Sequence, residues 1–320
     1  MKHWQLATLR PIFVISTLLI MCSSSLAAVS QKSIPLTTPI SIGILGDSTV
    51  DEYRGTDNRG GEYSSDTYNW LELLVQFRDI NAGSWGNWTE PRREGYEYNW
   101  ARSAATTHSL LEDGQHTGLA EQVSQGLIDL VIVSIGINDF ALFNGNYEAV
   151  YSGDISGDDL EQKIQDIVAN YTTAIDTILE AGDIQVIIST IPDQSLTPTV
   201  MNNTRFANPA KRQIVSDAIR QANIGIIDLA DARGLAYLDF DAMYQSLLPE
   251  IQNGYTIGDV TVSILSIGDD PQNGILADGL HLGTVMESFI ANHYLELINK
   301  YVEPDIPLLN DSEVLEAAGL

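Results

Sequence analysis

Hydrophobic positions along this chain fall into two alternating kinds of block. Ile40-Ser41-Ile42-Gly43-Ile44-Leu45 is a short apolar run that stops at Gly46-Asp47-Ser48, and Asp129-Leu130-Val131-Ile132-Val133-Ser134-Ile135 stops at Gly136. Val186-Ile187-Ile188 is broken by Ile191-Pro192-Asp193, and Gly225-Ile226-Ile227-Asp228-Leu229 makes a fourth run. Runs that are β-branched and apolar at nearly every position predict strands covered on both faces. Between them the apolar residues recur at helical spacing. Trp70, Leu73, Leu74 and Phe77 predict a helix over 66–77, capped by Ser65 or Asp66. Ser156 with Asp159 reads as a capping box opening an amphipathic helix through Ile164, Ile167, Tyr171 and Ile175 to Gly182. Pro209 to Ala222 and Thr284 to Tyr301 predict two more helices, and the aperiodic stretch 81–100 reads as a long loop.

Strands alternating with helices predict the α/β class: a three-layer α/β/α sandwich around a central parallel sheet of about five strands. No internal repeat or long linker divides the chain, so residues 28–302 form one domain. Residues 303–320, with Pro304, Pro307 and several acids, form an acidic C-terminal extension, docked or loose.

The N-terminus changes the picture. Lys2 and Arg10 precede an apolar run from Pro11 to Met21 that ends in small residues, the layout of a signal peptide over residues 1–27 cleaved after Ala27, or after Ala28. The run is too short to span a bilayer. Cys22 suggests lipid attachment, but Met21 is bulky where such a site takes a small residue. The expected location is therefore extracellular or periplasmic, with no stable membrane insertion after cleavage. The whole chain carries a net charge of −27, and losing Lys2 and Arg10 makes the mature protein more acidic still. That field repels nucleic acid and anionic membranes. Cys22 is the only cysteine, so the mature chain has no disulfide and relies on its core.

In an open parallel α/β sheet, loops leaving the carboxyl ends of strands converge on one crevice. The first strand delivers Gly46-Asp47-Ser48 there, and the second delivers Gly136-Ile137-Asn138-Asp139. Asp278-Gly279-Leu280-His281 precedes the last helix. A serine hydroxyl attacks only when a base takes its proton, and the base must be oriented by an acceptor on its other nitrogen. Asp278 and His281, three apart on a glycine-containing turn, suit that pairing and leave Nε2 facing Ser48. Gly46 lets the backbone leave the strand sharply, aiming the Ser48 amide at a reacting carbonyl oxygen.

These blocks resemble the GDSL or SGNH hydrolases, named for a Ser, a Gly, an Asn and a His in separate blocks. Gly46-Asp47-Ser48-Thr49 is similar to the nucleophile block, Gly136-Ile137-Asn138-Asp139 to the Gly-x-Asn-Asp block and Asp278-Gly279-Leu280-His281 to the Asp-x-x-His block. The resemblance implies the SGNH, flavodoxin-like fold and a catalytic triad of Ser48, Asp278 and His281. It also implies an oxyanion hole from Ser48, the second block and the Asn138 side chain. That second block reads Asn99-Trp100-Ala101-Arg102-Ser103-Ala104-Ala105-Thr106, with Ala104 where the family has Gly. Alanine keeps the backbone donor but is strained if the position needs positive φ. Asp47 and Asp139 are expected to buttress the loops along with Gly46 and Gly136. No cofactor and no metal are implied, and no residue cluster has metal-ligand spacing.

Trp70, Trp85, Trp88 and Trp100 lie in one window between the nucleophile and oxyanion blocks. Trp70 is expected in the core. Trp85 and Trp88, with Arg92 and Arg93 for an anionic group, are candidates for stacking on sugar rings. The expected activity is a secreted serine esterase, a carbohydrate O-acyl esterase among the options, acting on a small-molecule or polysaccharide ester. The alternatives are a short-chain lipid esterase, an acyltransferase and a non-catalytic glycan-binding protein. The absence of a long apolar lid segment speaks against a long-chain lipase.

Overall fold

A computed structural model describes residues 39–251, 253–302 and 305–320. The signal-peptide expectation for residues 1–27 lies outside them. In chain order the first elements are β1 (Ile42–Gly46), α1 (Trp70–Arg78), β2 (Trp85–Asn87), β3 (Glu94–Tyr96), α2 (Thr107–Glu112), α3 (Gln115–Ser124) and β4 (Leu130–Ser134). Then come α4 (Asn146–Ser152), α5 (Asp158–Ala181), β5 (Gln185–Ser189), α6 (Pro198–Met201), α7 (Pro209–Arg233), β6 (Ala236–Leu238) and α8 (Phe240–Ile251). The last are β7 (Tyr255–Ile257), β8 (Val260–Ile267), β9 (Asn273–Ile275), α9 (Thr284–Val302) and α10 (Asp311–Ala317).

The central sheet is parallel, in the order β1-β4-β5-β6, with Ile44 opposite Ile132, Ile132 opposite Ile187 and Ile187 opposite Ala236. Alternate residues of the strands serve two cores. Ile42, Ile44, Leu130, Ile132 and Ile187 pack with α1 and α9 on one face, and Leu45, Val131, Val133, Val186 and Ile188 pack with α3, α5 and α7 on the other. With both faces covered, the strands read as continuous apolar runs.

About five strands were expected, and the sheet has four. Beyond β1, where a further strand would lie, Asn81 and Asn99 make only isolated parallel bridges, to Ser41 and Ile44. The antiparallel hairpin β2–β3 intervenes between those two contacts, so the edge never runs as one strand. Stretch 81–100 is thus a hairpin flanked by edge contacts rather than a loop. The run Gly225–Leu229 is a second correction, because it lies inside α7. Asn208 caps that helix by accepting from the Ala210 and Lys211 amides, Pro209 starts it and Gly234 ends it at φ 66°. Ile226 and Leu229 continue a buried helical stripe with Ala218, Ile219 and Ala222, while Ile224 is exposed. A five-residue apolar run does not by itself distinguish strand from buried helix. The fourth strand comes later, at β6.

Two predicted caps move. α1 begins at Trp70 with a capping box between Asn69 and Glu72, and α5 begins after Gly157 with no side-chain cap. The C-terminal extension is docked. Arg78 donates to the Leu308 carbonyl (2.7 Å) and to Glu313, and Val314 and Ala317 of α10 join the core beside α1 and α9.

Candidate active site

β1 ends in a residue that must be glycine for want of space. A Cβ at Gly46 would lie 2.2 Å from Val50 Cγ1 and 2.7 Å from the Ser134 carbonyl oxygen. The chain then turns, and Asp47 accepts from both the amide (3.0 Å) and the hydroxyl (2.9 Å) of Thr49, fixing Ser48 between them. Burial pushes the Asp47 carboxyl up to about 7 despite those bonds. The loop that follows is tied to α1 by buried Glu72, which accepts from the amides of Tyr53 (3.2 Å) and Arg54 (3.2 Å) and pairs with the Arg54 side chain (3.1 Å).

Before α9, Gly279 turns the chain at φ 76°, and Asp278 Oδ1 accepts from the amides of Leu280 (2.9 Å) and His281 (3.0 Å). Asp278 Oδ2 lies 2.7 Å from His281 Nδ1, and His281 Nε2 lies 2.7 Å from Ser48 Oγ. The three residues therefore form a continuous hydrogen-bonded relay, with Ser48 and His281 buried and Asp278 at the surface. Burial works to raise the Asp278 carboxyl, but the bonds from His281 and the two turn amides outweigh it and hold the acid below the usual carboxylate range. His281 is lowered, first by burial and then by the charge of Arg59, against the opposing pull of Asp278. Tyr53 packs edge-on against the imidazole, with ring centroids 5.8 Å apart.

Asn138 follows β4, after Gly136 at φ 113°, and is fully buried. Its Nδ2 donates to the Ala105 carbonyl (2.9 Å), which ties it to the loop of Ala104 and leaves its second N–H free. Asp139 accepts from the amide (2.9 Å) and hydroxyl (2.8 Å) of Thr107, joining the same two loops. Ala104 is exposed and sits at φ 71°, the left-handed conformation that disfavours an L side chain by ~1–2 kcal/mol. Among the described residues the backbone N–H groups of Ser48 and Ala104 donate to no protein acceptor. Asn99 binds the two loops together, donating to the Val50 carbonyl (2.8 Å) and accepting from the Ala101 amide (3.0 Å).

Arg59 carries no motif signal, yet it touches the relay. Its Nη1 lies 3.0 Å from both Asp278 Oδ2 and His281 Nδ1. The two tryptophans singled out in the sequence separate here. Trp85 on β2 is 40% exposed and meets Tyr96 edge-on, whereas Trp88 is half-buried, donates Nε1 to the Gly95 carbonyl (2.9 Å) and is covered by Arg92. Of the two arginines of that stretch, among the described residues only Arg93 has its charge taken up by carboxylates, while Arg92 donates to the Glu97 carbonyl. Arg92 stacks on Trp88 and Trp100, and Arg93 is paired with Asp51 and Asp57.

Next to His281 runs a largely apolar crevice of about 290 Å³, with Leu280, Ile191, Ile219, Phe240, Met243 and Met286 among its walls and polar groups such as Asp47, Gln194 and Asn223 also facing it. Helix α8 forms one side of it, so apolar cover exists although no long lid segment was legible in the sequence.

The profile of the GDSL-like Lipase/Acylhydrolase family matches residues 44–284. Comparison with curated proteins gives no match. Among solved structures, the chain is similar to the lipase Lip_vut3 from a goat rumen metagenome, at 13% identity and TM-score 0.49, covering 82% of this chain and 99% of that one. It is also similar to phospholipase A1 from Streptomyces albidoflavus NA297, at 15% identity and TM-score 0.47, covering 82% and 98%. The acetyl xylan esterase AlAXEase is similar at 13% identity and TM-score 0.42, covering 81% and 100%.

Proposed function

The chain belongs to the GDSL-like lipase/acylhydrolase family and is a carboxylic ester hydrolase, and from that premise we propose that it works through an acyl-enzyme on Ser48. The observation that carries the reading is the relay from Asp278 through His281 to Ser48, with 2.7 Å at each step. Ser48 Oγ attacks the ester carbonyl carbon as its proton passes to His281 Nε2. The resulting oxyanion is held by the free amides of Ser48 and Ala104 and by Asn138 Nδ2. Collapse of that intermediate expels the alcohol, which leaves with the proton from His281. Water then attacks the acyl-enzyme, its proton going to His281 and on to Ser48 Oγ as the carboxylic acid departs. Asp278 keeps the imidazole in the tautomer that accepts on Nε2 and offsets the charge it gains.

Two substrate readings rest on different observations. The largely apolar crevice beside His281 supports an acyl group of several carbons, since an acyl chain lying in it would be withdrawn from water. Trp85, exposed on its hairpin, offers an aromatic face on which a sugar ring could stack, which favours a carbohydrate O-acyl ester. The apolar run from Pro11 to Met21 behind Lys2 and Arg10, read as a signal peptide, supports action outside the cytoplasm.

The test is hydrolysis of p-nitrophenyl acetate, butyrate and octanoate by the mature chain, alongside Ser48→Ala, with a serine-directed phosphonate and peptide mass mapping. Label on Ser48 and loss of turnover in Ser48→Ala are expected. Rates that rise toward octanoate favour the crevice reading, and rates that fall after acetate favour an acetylated carbohydrate. Label elsewhere, or turnover that survives Ser48→Ala, removes the acyl-enzyme.

A further inference from the structure

Beside the relay lies a row of charges of alternating sign. Asp278 meets Arg59 at 3.0 Å, Arg59 meets Asp57 at 2.8 Å and Asp57 meets Arg93 at 2.9 Å. Arg93 then meets Asp51. The inner four are well shielded, their side chains 14%, 18%, 16% and 6% exposed, so each charge depends on its neighbours for compensation. The far end of the row does not stop at Asp51. Asp51 Oδ2 accepts the Ser103 amide (2.7 Å), the Ser103 hydroxyl donates to Asp57, and Arg59 Nη2 reaches that hydroxyl at 3.4 Å. Ser103 is the residue before Ala104.

The row therefore begins on the acid of the relay and ends on the loop that carries the Ala104 amide. That loop needs holding. Ala104 sits at positive φ, and a backbone so placed persists only where its surroundings over-determine it. On one side Ser103 is fixed at both its amide and its hydroxyl. On the other, the Ala105 amide donates to the Arg102 carbonyl (2.9 Å) and the Ala105 carbonyl receives Asn138. Arginine suits the linking positions because its planar fork binds two carboxylates at fixed angles.

We propose that Asp278, Arg59, Asp57, Arg93 and Asp51 form one brace that sets the relay and the oxyanion loop in register, making Arg59 and Asp57 positioning residues for ester hydrolysis. The proposal rests on the acyl-enzyme reading above. Arg59 has a second consequence, because its charge lies against His281 and opposes imidazolium formation. The other groups facing His281 are Asp278 on its own turn, Ser48 and Tyr53 from the β1–α1 loop, Asp57 behind Arg59, and Glu287 of α9 behind Tyr53. None of these is a cation, so Arg59 supplies the positive charge at the ring.

The experiment measures kcat, KM and the pH dependence of kcat/KM on p-nitrophenyl butyrate for the mature chain, with active sites counted by phosphonate. Arg59→Gln and Asp57→Asn are expected to lower kcat roughly 10- to 100-fold with KM within about threefold, since small misplacements of reacting groups weigh mainly on the chemical step. Arg59→Lys should restore part of the loss. In Arg59→Gln the acid limb should move to higher pH, because losing the cation makes His281 easier to protonate. In the Ala104→Gly background the penalty of Asp57→Asn should shrink by about threefold or more, since glycine holds positive φ unaided. Titrated sites of both variants turning over within threefold of the parent, with an unmoved acid limb, would overturn the brace. Equal Asp57→Asn penalties in both backgrounds would also overturn it. Should Asp57→Asn fail to fold, Ser103→Ala removes only the hydroxyl that reaches Asp57, and undiminished kcat there counts against the proposal. Ser48→Ala runs in parallel. Turnover surviving that change brings down the acyl-enzyme and the brace together, whereas its loss with insensitive Arg59 and Asp57 variants brings down the brace alone.

Discussion

Asp278 and Glu287 lie on either side of the start of α9, the one bonded to the His281 imidazole and the other set behind Tyr53, which packs on that ring, yet their surroundings drive them apart. Asp278 is at the surface, takes two turn amides and His281, and is held ionised well below the usual carboxylate range. Glu287 is buried behind Tyr53, accepting the tyrosine hydroxyl (2.8 Å) and the Trp70 amide (3.1 Å), and burial pushes it up to about 8. Two chemically equal groups thus take different places, one ionised and bonded to the His281 imidazole, the other tying a helix to the loop beneath the site. The difference teaches that role here follows from hydrogen bonds to the charged form against loss of solvent, rather than from residue type.

If chemistry lies on the Asp278 side, removing the base it orients is the largest effect. His281→Ala should lower kcat/KM on p-nitrophenyl butyrate by on the order of 10⁴-fold or more while the circular dichroism spectrum stays that of the parent. A loss below tenfold would mean that another group deprotonates Ser48. A smaller effect belongs to the oxyanion side. Asn138→Ala should lower kcat by about 10²–10³-fold with KM little changed, the signature of a donor that acts chiefly in the transition state. A variant within a few-fold of the parent would remove Asn138 from the hole and leave the Ser48 and Ala104 amides as its donors.

How much of this was legible in the sequence depends on how local each feature is. Ser48 and Asn138 stand just past the runs that became β1 and β4, and Asp278 with His281 fits within one turn, so short motifs carried them. The strand at Gly225–Leu229 failed because its apolar run also fits the buried stripe of α7, and the deciding signals were Asn208 with Pro209 before it and Gly234 after it. The missing sheet edge failed because the β2–β3 hairpin interrupts contacts that sequence spacing cannot place. Arg59 and Asp57 were not legible at all. Their partners come from separate segments brought together only by the loop that Glu72 and Asn99 hold down. The sole hint was arginine beside tryptophan near the second block, and it pointed to a substrate anion rather than to Asp51 and Asp57.

The smallest predicted effect on activity tests the Glu287 side of the comparison. Glu287→Gln keeps the volume and an acceptor for Tyr53, so turnover should stay within about threefold of the parent, as for a group outside the reacting atoms. Stability should respond instead. An unfolded glutamate titrates near ~4.3, whereas the folded group holds its proton to about 8. Between those values the native state binds a proton that the unfolded chain releases, so raising the pH favours unfolding by up to ~1.4 kcal/mol per pH unit from this group. Its stabilising contribution is complete below the unfolded value and gone above the folded one. Glu52 and Asp47, pushed up to about 8 and about 7 by burial, add slopes of the same sign. Asp278 acts oppositely, its contribution present at neutral pH and lost as the pH falls below the unfolded carboxylate value. Thermal melts of the parent between pH 5 and 8 should therefore decline with rising pH, about one group's share less steeply in Glu287→Gln. Identical slopes would mean that Glu287 is ionised when folded, and the contrast with Asp278 would then be one of position and not of charge.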